Sequence, residues 1–220
     1  MMTPPPGAAV FDLDGVIVDS RRPVRSSVNA ALVECGFAER PDAELDRLIG
    51  PPVRGALAEL TGTSADSPLL AACVDAYHRH YDAVYLEQTS AVAGIAEMLG
   101  ALTLPLAIAT AKVVDFVGPL LERLGLASRF QAVCAPTMRW PEEPKAALLA
   151  RTLAQLGAQD VVMIGDRSFD VEAAHANGVR AIGVTWGIGD RAELEDAGAE
   201  LVVERPDELL AQLEGSVRRR

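Results

Sequence analysis

Phe11-Asp12-Leu13-Asp14-Gly15-Val16-Ile17-Val18-Asp19-Ser20 ends the first apolar run of the chain, Ala8 to Phe11, with two carboxylates one residue apart and then a glycine. An apolar run that stops at a charged pair reads as a strand entering a turn, and side chains along a strand alternate between its faces. Asp12 and Asp14 are therefore expected on one face, both leaning over the strand's carboxyl end. Like charges so close are accounted for by a bound cation or by a proton divided between them; Asp-Gly is also a common turn. The rest of the chain has to decide.

Working outward, apolar runs recur with helical stretches between them. Strands are expected at Ala8 to Phe11, Leu104 to Ala109, Ala132 to Cys134, Val161 to Ile164, Ala181 to Val184 and Leu201 to Val203. The spacing of apolar residues predicts helices over Val113 to Leu124, Lys145 to Leu156, Ser168 to Ala176, Ala192 to Ala197 and Pro206 to Leu213. Continuously apolar strands alternating with helices imply a parallel sheet covered on both faces, a doubly wound, Rossmann-like α/β core. The stretch 19–88 breaks this rhythm, with helical patterns at Val24 to Val33, Ala43 to Ile49, Val53 to Leu60 and Leu69 to Tyr85 and no convincing strand. It reads as an α-helical cap inserted into a core made of 1–18 and 89–220. A cap rooted at the carboxyl ends of the strands is expected to act as a lid there.

The 220 residues carry a net charge of −11, which disfavours nucleic acid as a partner, because phosphates demand a basic face. No apolar run approaches membrane-spanning length, and the start lacks a secretory pattern, so a cytoplasmic protein, monomeric or weakly dimeric, is expected. Cys35, Cys73 and Cys134 are far apart in sequence, which argues against a disulfide framework or a zinc site and for three small buried residues. Arg218, Arg219 and Arg220 read as a frayed, solvated end. Of the 20 cationic residues only Lys112 and Lys145 are lysines. A lysine is a compact point charge suited to a single oxygen, whereas arginine is a broad fork.

Polar residues gather at the carboxyl ends of the predicted strands: Asp12 and Asp14, then Thr110-Ala111-Lys112, then Gly165-Asp166-Arg167-Ser168-Phe169-Asp170, with Lys145 opening a helix between the last two. Singly, Thr110 is explained as a helix cap, Asp166 as a turn residue, Asp170 as a first-turn acid and Lys145 as a surface charge. Together they place several carboxylates at one sheet edge, where they repel unless a cation neutralises them. An oxygen-only set without His or Cys suits Mg²⁺ better than zinc, and Mg²⁺ favours a phosphate-bearing guest.

The ordered set Asp12-Leu13-Asp14-Gly15-Val16, Thr110, Lys145 and Gly165-Asp166 with Asp170 resembles the four signatures of the haloacid dehalogenase superfamily. Ile108-Ala109-Thr110-Ala111-Lys112 with Phe116, the Gly50-Pro51-Pro52 turn and Gly183-Val184-Thr185-Trp186-Gly187 are similar to its phosphoglycolate phosphatase-like branch, whose small helical cap the segment from Asp19 matches. Position 16 is Val where many such phosphatases have Thr, and Glu142-Glu143-Pro144-Lys145 replaces the frequent Gly-Lys-Pro.

The resemblance implies a Mg²⁺-dependent phosphatase acting on a small phosphorylated metabolite through an aspartyl-phosphate. Asp12 would be the nucleophile, and Asp14 the general acid and then base. Mg²⁺ would be held by Asp12, the backbone carbonyl of Asp14 and Asp166, with Asp170 supporting it through water or by orienting Lys145. Thr110 and the amides near Gly15 and Ala111 would hold phosphate oxygens, with Lys145 balancing their charge; removing one such donor costs about 3 kcal/mol of barrier. Arg54, beside the Gly-Pro-Pro turn, reaches a second anionic group on the substrate or is a surface arginine. A phosphosugar mutase of the β-phosphoglucomutase type, or a non-catalytic metal- and phosphate-binding module, are the alternatives. Tyr77, Tyr81 and Tyr85 read as a packing stripe and His78 and His80 as solvated; Trp186 either packs near the site mouth or closes the core.

Overall fold

A computed structural model describes residues 5–46 and 49–215. The chain divides into two compact units, 1–18 with 91–220 and 19–90. In chain order the elements begin with β1 (Ala8–Phe11), β2 (Val18–Asp19), α1 (Arg21–Glu34), α2 (Asp42–Asp46), α3 (Val53–Thr61) and α4 (Pro68–Gln88). There follow β3 (Ser90–Ala91), α5 (Ile95–Ala101), β4 (Leu106–Ala109), α6 (Val114–Arg123), β5 (Ala132–Cys134) and α7 (Lys145–Leu156). The chain closes with β6 (Val161–Gly165), α8 (Ser168–Ala176), β7 (Arg180–Val184), α9 (Arg191–Asp196), β8 (Leu201–Val203) and α10 (Pro206–Leu213).

The first unit is an α/β fold on a six-stranded sheet of order β5-β4-β1-β6-β7-β8. Every pairing is parallel, with Phe11 opposite Ile108 on one side and Ile164 on the other. From β1 the chain adds β4 and β5 outward on one side, then returns to add β6, β7 and β8 on the other. The carboxyl end of β1 is thus the topological switch point, where ligand crevices form in open α/β sheets. Alternation along the strands sends Val10, Ala107, Ala109 and Met163 into a core shared with Leu149, Val171, Ala174 and Leu194 from α7, α8 and α9. Phe11, Leu106, Ile108 and Ile164 take the opposite face and are buried as well. Both faces are apolar, which is why these strands read as unbroken runs.

The second unit is α-helical. Val28, Ala31 and Leu32 of α1 are buried, as are Leu70, Cys73, Ala76 and the stripe Tyr77, Tyr81 and Tyr85 of α4. The tyrosine rings stack successively with centroids 5.5 Å apart, a packing role. Arg25 ties α1 to Asp42, at 2.8 Å, and to Asp46, both in α2.

Several expectations need correction. Strand β4 begins at Leu106, not Leu104, because Pro105 has no N–H for the ladder. Helix α5 was not expected; Gly94 in the left-handed conformation and the short apolar set Ile95, Met98 and Leu99 gave too little period to read. Asp19, the first residue of a segment expected to hold no strand, ends β2, which pairs with β3 in a two-stranded sheet. Of the helix expected over Ala43 to Ile49, residues 47 and 48 lie outside the described residues, as do Arg218, Arg219 and Arg220. His80 bonds Glu34 at 2.9 Å, and burial lowers the pKa of His78, so neither is simply solvated. Cys35 is only half-buried, and the fold brings it to Cys73, whose thiol is pushed up to about 12 by burial first and by Cys35 second; both thiols are free.

Candidate active site

Asp12, Thr110 and Asp166 each follow the last residue of a strand, and those strands, β1, β4 and β6, are neighbours in the sheet. Asp12 N donates to the Ile164 carbonyl (2.9 Å), which keeps the backbone in register one residue past β1. The chain then folds back: Ile17 N and Val18 N donate to the Leu13 carbonyl, and Gly15 N to that of Val18. Asp14 thus stands in a tight turn beyond the strand. Gly15 has φ of +83°, and a Cβ there would lie 2.1 Å from Asp166 Oδ2, so only glycine lets the turn close over that carboxylate.

The two lysines divide the first two aspartates between them. Lys145, at the start of α7, places Nζ 2.6 Å from Asp12 Oδ1 and 2.9 Å from Asp170 Oδ1. Lys112 places Nζ 3.0 Å from the Asp14 carboxylate. Burial disfavours the charged form of Lys145, but Asp12 and Asp170 outweigh it and hold the ammonium above the ordinary lysine range. Asp12 is pushed up to about 7, first by burial and against the pull of Lys145, with Asp170 and Asp14 adding like charge. Asp166 is raised well above the carboxylate range by burial and then by Asp170 and Asp12.

Buried Thr110 accepts the Lys112 N–H on Oγ1 at 3.1 Å, with Ala111 between them. A hydroxyl that accepts from the backbone keeps its own proton for donation elsewhere. Asp166 is fixed most tightly. Ile188 N donates to its Oδ2 (2.7 Å) and Gly189 N to its carbonyl (3.1 Å), whereas Oδ1 is buried without a hydrogen-bond partner. A Cβ at Gly187 or Gly189 would come within 2.2 Å of Asp166, so this loop can lie against the carboxylate only as glycine. The same loop is pinned to the first motif by Trp186 Nε1, which donates to the Val16 carbonyl at 3.1 Å; Trp186 therefore serves the site rather than closing the core.

Asp12, Asp166 and Asp170 each offer a carboxylate oxygen within 4.8 Å of the others, and all three are buried. Three ionised carboxylates in that space are strongly unfavourable on Lys145 alone. A hard divalent cation fits this oxygen-only set, and the orphaned Asp166 Oδ1 is the atom left to meet it.

Asp12, Asp14, Gly15, Thr110, Ala111, Lys145, Asp166 and Asp170 thus all belong to the α/β unit. Arg54 belongs to the helical unit, on α3, where Nη1 donates to the Ala65 carbonyl at 2.9 Å. Sequence reasoning missed Glu193 of α9, whose Oε1 accepts from Ser168 N (2.8 Å) and Arg167 Nε (2.9 Å) and so clamps the loop bearing Asp166 and Asp170. The sequence carries no local signal for a clamp 25 residues away.

Residues 9–184 match the family model described as haloacid dehalogenase-like hydrolase. The chain belongs to the haloacid dehalogenase-like hydrolase family. Tyrosine-protein kinase PtkA of Mycobacterium tuberculosis is 33% identical over 90% of this chain and 68% of its own length. Phosphoglycolate phosphatase of Chromobacterium violaceum is 32% identical over 92% of this chain and 94% of that protein. Among solved structures, one described as a predicted phosphatase from Clostridium acetobutylicum superposes with a TM-score of 0.89 and 27% identity, covering 96% of this chain and 99% of that one. As a haloacid dehalogenase-like hydrolase, the chain is an enzyme.

Proposed function

We propose that this enzyme is a Mg²⁺-dependent phosphatase of small phosphorylated metabolites, phosphoglycolate-like monoesters among them. The observation that carries this reading is the buried trio Asp12, Asp166 and Asp170 at the switch point, with Lys145 bridging two of its members. Asp12 attacks the phosphorus and forms an aspartyl-phosphate, so one difficult displacement becomes two easier ones. Asp14 gives a proton to the leaving alkoxide and takes one from the water that hydrolyses the phosphoenzyme. The Thr110 hydroxyl and the amides near Gly15 and Ala111 hold phosphoryl oxygens, and Lys145 balances the charge gathering there. Asp12, Asp166, the Asp14 carbonyl and Asp170, directly or through water, would hold Mg²⁺, which would supply the positive charge that lets these carboxylates and a phosphate share one space. The core, 1–18 and 89–220, carries the chemistry, and the helical segment 19–88, with Arg54, the substrate selection.

The test is phosphate release from an aryl phosphate and from a panel of phosphorylated metabolites, with and without Mg²⁺. Release that requires Mg²⁺ and is abolished by Asp12→Asn in a folded variant is expected; a wild-type protein that binds Mg²⁺ but turns over no phosphoester would overturn the reading. The mycobacterial relative named as a kinase favours, as a second reading, passage of the phosphoryl group to a hydroxyl acceptor other than water. Phosphorylated acceptor formed in excess of free phosphate would decide for it.

A further inference from the structure

We propose that Lys112 is the positioning residue for Asp14, holding its carboxylate at the leaving-group side of the reacting phosphate. The inference rests on the phosphatase reading above. Only two lysines occur among 20 cationic residues, and the fold sends both into the site, each against one aspartate of the first motif. Lys145 meets Asp12, the nucleophile. Lys112 meets Asp14 at 3.0 Å with both side chains largely buried, 6% and 12% exposed.

Asp14 needs such a partner more than Asp12 does. Asp12 leaves β1 in ladder register, whereas Asp14 lies on the turn beyond, which the Leu13 and Val18 carbonyls hold by its backbone alone. A carboxylate that must meet first an ester oxygen and then a water needs its side chain fixed within a fraction of an ångström, or the reaction loses its orientation. Lys112 is itself fixed, because its N–H donates to Thr110 Oγ1 at 3.1 Å in the turn after β4. One rigid turn thereby places both the Thr110 hydroxyl for phosphoryl oxygens and, through the Lys112 ammonium, the acid for the leaving group.

Leaving groups discriminate this role from others. An alkyl alkoxide needs a proton as it departs; a nitrophenolate does not, and kcat/KM reports the enzyme up to and including that departure. Lys112→Met is expected to lower kcat/KM about 100-fold for an alkyl phosphate and only a few-fold for nitrophenyl phosphate. In an Asp14→Asn background the same substitution is expected to cost nothing further, since the group it positions is gone. Lys112→Arg, which keeps the charge, is expected to retain much of the alkyl phosphate activity. Equal losses on the two esters would assign Lys112 to the phosphoryl oxygens or to folding and overturn the proposal, as would a full additive loss in the Asp14→Asn background or an arginine variant as impaired as the methionine one. Should Lys112→Met not fold, Lys112→Gln carries the same comparisons. A wild-type protein inactive on both esters would instead defeat the phosphatase reading, so the two failures are distinct.

Discussion

In the proposed mechanism Asp12 and Asp166 must be charged to act, in a place where burial and like-charged neighbours favour their neutral forms. A carboxyl group raised from 3.8 to about 7 takes up a proton as the pH falls through neutrality, and that proton competes with a cation for the same oxygen. Mg²⁺ should therefore bind more weakly at pH 6 than at pH 8, read by isothermal titration calorimetry, with protons released on binding. The sign for stability follows. In metal-free protein the folded state holds the Asp12 proton that the unfolded chain gives up near pH 4, so this residue's contribution falls as the pH rises from there to about 7. Mg²⁺ should accordingly raise the melting temperature more at pH 8 than at pH 6; an equal rise at both would mean that Asp12 is not a ligand. These residue types and their spacing were legible in the sequence. Their partners were not, because Lys112 meets Asp14 across 98 residues and Lys145 meets Asp12 across 133.

Elements were legible where local pattern and tertiary demand agree. Helices α7, α8 and α10 and strands β1, β5 and β8 have the bounds expected from apolar spacing and punctuation. Strand β4 and helix α5 differ because a missing N–H and a short, glycine-flanked period act below the scale of a spacing pattern. Helix α8 shows what such reading cannot reach. Its start is closed by Asp170, which accepts the Arg167 N–H, and by Glu193, which accepts that of Ser168 from a different helix. Glu193→Ala should release this end of the loop that bears Asp166 and Asp170. A loss of about 1 kcal/mol of stability is expected by thermal melting, from the unmet amide. Mg²⁺ affinity should fall about tenfold by calorimetry, as for other groups that orient metal ligands, with Glu193→Gln intermediate. Unchanged Mg²⁺ affinity in the alanine variant would confine Glu193 to folding.

At the scale of the whole molecule, the sheet order turns a list of residues into a site. Strand ends scattered over more than 150 residues become adjacent because β4 and β6 flank β1 on opposite sides. The sequence implied that arrangement through its alternating runs, since few topologies accommodate parallel strands with helical crossovers. It did not imply the glycine-lined approach of 187–189 to Asp166, which needs β6 and β7 already paired. The fate of the two lysines has a further consequence, for labelling chemistry. Acylating reagents attack uncharged, water-accessible amines, and both side-chain amines of this protein are ion-paired, with 6% and 8% of their side chains exposed. The native fold should therefore take up an amine-directed label at these two positions far more slowly than the unfolded chain, as followed by mass spectrometry of the peptides that contain them. Across a urea titration, the rate of labelling would then report how often the site opens.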